Sequence, residues 1–222
     1  MPLATIPLNE HAALVSFGNV IDEAVNQRVM ALYQRLREKP FNGFIEAVPA
    51  YSSLAVFYDP LQVGFESTKI KLEELASDNV PLSAATERTI EIPVLYDGED
   101  LDFVAREHQL SRAEVIAIHT KSYRVFMLGF SPGFAYLGSV DARVATPRKN
   151  TPRTAVPAGS VGIAGFQTGI YPRESPGGWQ LIGRTPIKVF DQQKNAPCLF
   201  SPGDMVRFYA IDQKEFDLRN EY

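Results

Sequence analysis

A chain of 222 residues with 45% apolar side chains can bury one large core or two small ones, and a formal net charge of −4 excludes a general nucleic-acid binder. The single cysteine, Cys198, excludes an internal disulfide, and no apolar run reaches the length of a bilayer span. Residues 1–16 carry neither a basic leader nor a long apolar segment, so the expected address is the cytoplasm, with no membrane partner.

Residues 5–7 and 12–17 read as short strands around the turn-prone Asn9-Glu10. Residues 20–39 place Val25, Val29, Leu32, Tyr33 and Leu36 at helical spacing, and Pro40 and Gly43 stop the helix. Residues 44–49 and 53–58 form a strand pair, with Leu54, Val56 and Tyr58 alternating with Ala55 and Phe57. Residues 66–76 give a second amphipathic helix with Ile70, Leu72 and Leu75 inward. The polar stretch 77–88, with Pro81, marks a boundary between a small α+β domain (1–85) and a second domain (86–222).

The second domain opens with an alternating strand, 89–96. Helices follow at 101–108, led by Glu99 and Asp100, and at 111–120, where Ser111 and Glu114 make a capping box. Strands are expected at 123–128, 186–190 and 205–211, and the charged tail after Asp212 is expected to be solvated. Many short strands with frequent turns indicate a β-barrel or sandwich. Ser-Pro-Gly occurs at Ser131, Ser175 and Ser201, and Pro-Gly at the central positions suits a type II turn.

Residues 126–186 concentrate glycine, proline and aromatics, the composition of short strands joined by specified loops, where ligand sites are common. Between Ala142 and Phe190 the only acid is Glu174, against Arg143, Arg148, Lys149, Arg153, Arg173, Arg184 and Lys188. Two readings stand: an anion site, or loop charges balanced by acids elsewhere in the fold. Gly129 to Gly133 spells the G-x-S-x-G nucleophile elbow, but Pro132 lacks the N–H that an oxyanion needs there, so Ser131 is not a hydrolase nucleophile. The glycine run 159–165 lacks the lysine of a phosphate loop and suits either a backbone nest or a β-corner. The histidines His11, His108 and His119 lack metal-ligand spacing, so no metal is expected. His119 ends a helix, where the dipole favours its cation; an acid/base role is the other reading. Tyr136, Gln167, Tyr171 and Trp179 are either core aromatics and polar neighbours or the walls of a pocket.

The segments GFSPGFAYLGS, PRKNTPRTAVPAGSVGIAG, QTGIYP and SPGGWQLIGRTP together resemble the allophanate hydrolase subunit 1 family, over about residues 12–211. The resemblance implies a small two-layer α+β domain followed by a cyclophilin-like β-barrel. It also implies a place in a three-protein, ATP-dependent 5-oxoprolinase that opens the lactam of 5-oxoproline to L-glutamate. This chain would be its B component, inactive alone. The C component would be the close partner, the A component the third protein, and ATP a requirement of the complex. The same family serves in inhibition of a sporulation histidine kinase and in urea carboxylation. On the hydrolase reading His119 is the catalytic candidate. Arg148, Arg153, Arg173 and Arg184 would meet the anion of a small-molecule substrate, and Tyr136, Gln167 and Trp179 would shape its pocket.

Overall fold

Alternating apolar residues build the first sheet. In the computed structural model, which describes residues 3–77 and 88–220, strands β1 (Ala4–Asn9), β2 (Ala12–Ser16), β3 (Phe44–Pro49) and β4 (Ser53–Tyr58) pair antiparallel in the order β1-β2-β4-β3. Val15, Leu54, Val56 and Tyr58 on one face meet Val29, Leu32 and Leu36 of helix α1 (Glu23–Glu38) and Leu72 of helix α2 (Phe65–Ser77). Helix α1 starts later than its apolar pattern suggests, because Asp22 caps it by accepting the Val25 N–H at 3.0 Å. In α2 the inward pair is Thr68 and Leu72, while Ile70 is 56% exposed. Residues two apart lie on opposite sides of a helix, so Leu72 and Ile70 cannot share a face.

Contacts divide the chain into two compact units, Met1–Thr86 and Glu87–Tyr222. The boundary stretch expected from sequence falls mainly on residues 78–87, outside the described residues.

The second unit contains β5 (Thr89–Val94), α3 (Leu101–Glu107), α4 (Arg112–His119), β6 (Ser122–Leu128), β7 (Ala135–Gly138), β8 (Arg153–Val156), β9 (Ser160–Ala164), β10 (Gln167–Ile170), β11 (Ser175–Gly177), β12 (Gln180–Arg184), β13 (Met205–Ala210) and α5 (Gln213–Arg219). Its main sheet runs β12-β9-β10-β7-β6-β13-β5, with β11-β8 as a separate ribbon. Only β13 and β5 pair in parallel within these described ladders. Val125, Leu137, Ile163, Ile182 and Phe208 fill the interior. The glycine run is strand β9, buried throughout and hydrogen-bonded to β10 on one side and β12 on the other. Its N–H groups are therefore spent on the sheet, which selects the β-corner reading over the nest.

Two expectations fail at the end of the chain. Residues 186–190 form bends and an isolated Phe190–Cys198 bridge in place of a strand. Pro186 has no N–H for a ladder, and Thr185 Oγ1 accepts the Ile187 N–H at 3.2 Å, which turns the chain. The tail is not simply solvated: it forms α5, capped by Asp212 on Glu215 N at 2.8 Å, tied by Glu215–Arg219 at 2.6 Å, and anchored by the buried Phe216.

The two outer strands of the sheet meet and nearly close it into a barrel. Leu95 and Arg184 exchange both backbone hydrogen bonds at 2.9 Å, and Gly98 N donates to Ile182 O at 3.2 Å. A Cβ on Gly98 would collide with the Leu181–Ile182 backbone, so the seam needs glycine there. Asp100 ends the seam: its N–H donates to Leu181 O at 2.9 Å, and its Oδ2 accepts the Leu181 N–H at 2.7 Å. The same Oδ2 meets Arg153 Nη2 at 2.5 Å, and Oδ1 accepts from Lys149 Nζ at 3.1 Å. Asp100 stands at the N-cap of α3 yet makes no side-chain cap bond, because its carboxylate faces the seam.

His119 lies in the barrel interior, fully buried. Thr168 Oγ1 donates to Gly162 O at 2.9 Å and so accepts from His119 Nε2 at 2.8 Å. Nδ1, left unprotonated, accepts from Tyr96 Oη at 2.8 Å, and the ring stacks on Phe208 at 4.9 Å. Burial pushes the imidazole pKa down to about 3, with Lys121 adding to the shift. Desolvation overrides the helix dipole that would favour the cation.

Two outcomes are expected. Arg153→Ala leaves a buried carboxylate without its main partner and costs about 3 kcal/mol in urea denaturation; a loss below about 0.5 kcal/mol would return Arg153 to the surface class. For His119, the unfolded chain takes a proton below about pH 6.5 that the folded chain refuses. Stability is therefore intact above that pH and falls as pH drops towards 3. Wild type should lose up to about 1.4 kcal/mol more per pH unit than His119→Gln between pH 6 and 4, and equal slopes would mean the ring is charged in the fold.

Candidate functional site

The Asp100 clamp brings two loops together. Lys149 N donates to Gly178 O at 2.7 Å, and Arg153 Nη1 donates to Trp179 O at 3.1 Å. Loop 146–152 therefore runs beside residues 177–180. Between them and the β6–β7 turn opens a cleft of about 220 Å³, walled by Phe130, Phe134, Tyr136, Tyr171 and Trp179 and by Arg148. Phe134 makes edge contacts with Trp179 at 5.3 Å and Tyr171 at 5.4 Å, while Tyr136 tilts against Trp179 at 6.0 Å. Each ring fixes its neighbour, so the walls are rigid. Of the three Ser-Pro-Gly triplets, those ending at Gly133 and Gly203 turn with φ of +81° and +93°. The third is strand β11, where a Cβ on Gly177 would strike Tyr171 Oη, so glycine lets the phenol reach the cleft wall.

Electrostatically the cleft is a set of donors. Burial pushes the Tyr136 and Tyr171 phenols above their usual range, against an opposing pull from Arg148, so both remain O–H groups at neutral pH. The Arg148 guanidinium lies 5.9 Å over the Trp179 ring. No histidine or carboxylate lines this cleft among the described residues. The arrangement suits a small, flat, anionic molecule that accepts hydrogen bonds, and it supplies no proton-transfer base.

The structure sorts the expected site residues into separate places. It brings Arg148, Tyr136 and Trp179 together in the cleft, with Tyr171. Arg153 is held instead in the Asp100 clamp, with Glu99 also at 2.6 Å. Arg184 sits on the barrel seam, paired to Asp97 at 2.8 Å with its guanidinium 4.4 Å over Phe216, beside another cavity of about 380 Å³. Arg173 is exposed on the bend between β10 and β11, outside the cleft. Gln167 opens β10, paired with Gly138 and Ala164, also outside it. His119 is enclosed in the core, away from the cleft walls. Phe130 and Phe134 complete the cleft, and in the sequence they stand only among the aromatics of residues 126–186. Their signal was the turn itself, where Phe130 stands at φ +65° and 66% exposed.

The positive segment also resolves. Asp141 takes Arg143, Asp100 takes Lys149 and Arg153, Asp97 takes Arg184, and Asp191 takes Lys188. Among the described residues Arg148 and Arg173 have no carboxylate partner. A second cavity, of about 400 Å³, shares Arg148 and is lined also by Phe103, Glu107, Thr146, Lys149 and Gln180.

Residues 3–200 match the family described as carboxyltransferase domain, subdomain C and D. The B component of the 5-oxoprolinase of Bacillus subtilis (strain 168) is 47% identical over 228 residues, covering 96% of this chain and 95% of that protein. The crystal structure of TTHA0988 superposes with a TM-score of 0.81 at 42% identity, over 90% of this chain and 40% of that longer one. The Kluyveromyces lactis urea carboxylase shares the fold, with a TM-score of 0.74 at 21% identity over 97% of this chain and 22% of that one. The chain thus belongs to the carboxyltransferase-domain family of subdomains C and D, and within it to the relatives named as the B component of 5-oxoprolinase.

Proposed function

We propose that this chain is the B component of an ATP-dependent 5-oxoprolinase, which opens the lactam of 5-oxo-L-proline to give L-glutamate. The observation that carries the reading is 47% identity, over nearly the full length of both chains, to a protein of that name, together with a cleft whose chemistry fits the substrate. 5-Oxoproline is a small flat ring with a carboxylate and a carbonyl. Arg148 would meet the carboxylate, Trp179 and Phe134 would hold the ring, and the Tyr136 and Tyr171 hydroxyls would donate to oxygen.

A lactam carbonyl is a poor electrophile, and its activation is the part this chain is least equipped for. The glycine run that might cradle phosphate is strand β9, and the cleft lining holds no carboxylate or histidine to move a proton. The residues present do not fit ATP, so nucleotide handling is assigned to the complex and to its A and C components. In that division this chain binds and orients the lactam, and the groups that move protons come from a neighbouring polypeptide.

Mixed with the A and C components and ATP, the chain is expected to release L-glutamate from 5-oxo-L-proline, and to release none alone. Arg148→Ala should lower kcat/KM by about 10- to 100-fold, mainly through KM, with Tm held because the side chain is exposed. Undiminished glutamate release with this chain left out would end the assignment.

A further inference from the structure

The second cavity carries an unused pair of opposite charges. Glu107, from the last turn of α3, and Arg148, from the facing loop, both line it. Both are exposed, and neither has an ion-pair partner among the described residues. Both charges line one cavity without forming an ion pair across it among the described residues.

Its other polar groups are mostly spent. Lys149 is held by Asp100 at 3.1 Å. The Thr146 hydroxyl donates to Val144 O at 3.0 Å and accepts from His108 Nε2 at 3.0 Å. Gln180 is buried, and its Nε2 donates to Pro147 O at 2.8 Å. Phe103, 40% exposed on the same cavity, offers a ring face that attracts a cation.

We infer that this cavity is a binding site for a free α-amino acid in its zwitterionic form. Arg148 takes the carboxylate. Glu107 and the Phe103 ring take the ammonium. A simple anion would meet Glu107; a simple cation would meet Arg148. Only a ligand with both charges satisfies each wall. The site is distinct from the aromatic cleft, where no carboxylate stands and a neutral lactam nitrogen is tolerated, and Arg148 is the wall common to both. The inference goes beyond the hydrolase reading and does not depend on it.

The test is calorimetric titration of the full chain alone, without ATP or partners, using L-glutamate and glutarate, which differ only in the ammonium group. L-Glutamate should bind at least about tenfold tighter than glutarate, and Glu107→Gln should remove that preference. Glu107→Gln, at an exposed position, keeps the fold, so a lost preference reads the site itself. Equal affinity for the two ligands, absence of any heat from L-glutamate, or a Glu107→Gln protein that keeps its preference would each overturn the site. Because no turnover is measured, these results are independent of whether the reconstituted complex opens a lactam.

Discussion

One buried carboxylate governs the second unit. Asp100 stands where the first and last strands of the barrel meet, and its two oxygens receive a backbone N–H, a guanidinium and an ammonium. A lone carboxylate at 5% exposure would carry a heavy desolvation cost, so the three donors are a condition of the fold being stable there. The consequences run outward. Closing the seam fixes α3, whose N-terminus Asp100 occupies. Holding Lys149 and Arg153 draws loop 146–153 against residues 177–181. That juxtaposition makes one wall of the aromatic cleft.

The same clamp explains why Arg148 is left over. Its sequence neighbour Lys149 and the nearby Arg153 are consumed by a single acid, and Asp141, Asp97 and Asp191 are committed to Arg143, Arg184 and Lys188. The Arg148 guanidinium, which has no acid among the described residues, lies over Trp179, between two cavities. A cluster that looks uniform along the chain is therefore of several kinds. Lys149, Arg153 and Arg184 tie distant segments together, Arg143 and Lys188 pair with acids in their own turns, and Arg148 and Arg173 meet no acid among the described residues.

Local chemistry was legible in the sequence and tertiary pairing was not. The strands at 44–49 and 53–58 were readable residue by residue because alternation and flanking turns agree, and the Ser111–Glu114 capping box was readable because both its bonds are local. The barrel class followed from strand density, but its closure depends on Asp100 meeting Leu181, which no periodicity announces. The strand expected at 186–190 failed on Pro186, and the tail helix was hidden because one inward residue, Phe216, carries its anchorage. His119 was misjudged by weighing the helix dipole, a local effect, without the burial that overwhelms it. For the cleft, Tyr136, Tyr171, Trp179 and Arg148 were named by type, and they stand together. Arg153, Arg173, Arg184 and Gln167 were named by the same criterion and belong elsewhere, since type does not tell which acid a cation will meet.

An exposed guanidinium attracts an anion weakly, because water screens it; the same guanidinium under cover attracts it several times more strongly. The cleft is rigid in its rings and open on its cationic side, so its geometry is prepared while its dielectric is not. Phe130 sharpens the point: a large ring 66% exposed at the rim, on a backbone conformation unusual for any residue but glycine, is surface that covering would bury. A surface that closes over Phe130 and Arg148 would at once remove apolar area from water and strengthen the unmatched Arg148 charge. Both gains are absent while the rim stays open to water, and any cover that excludes water there would bring them together.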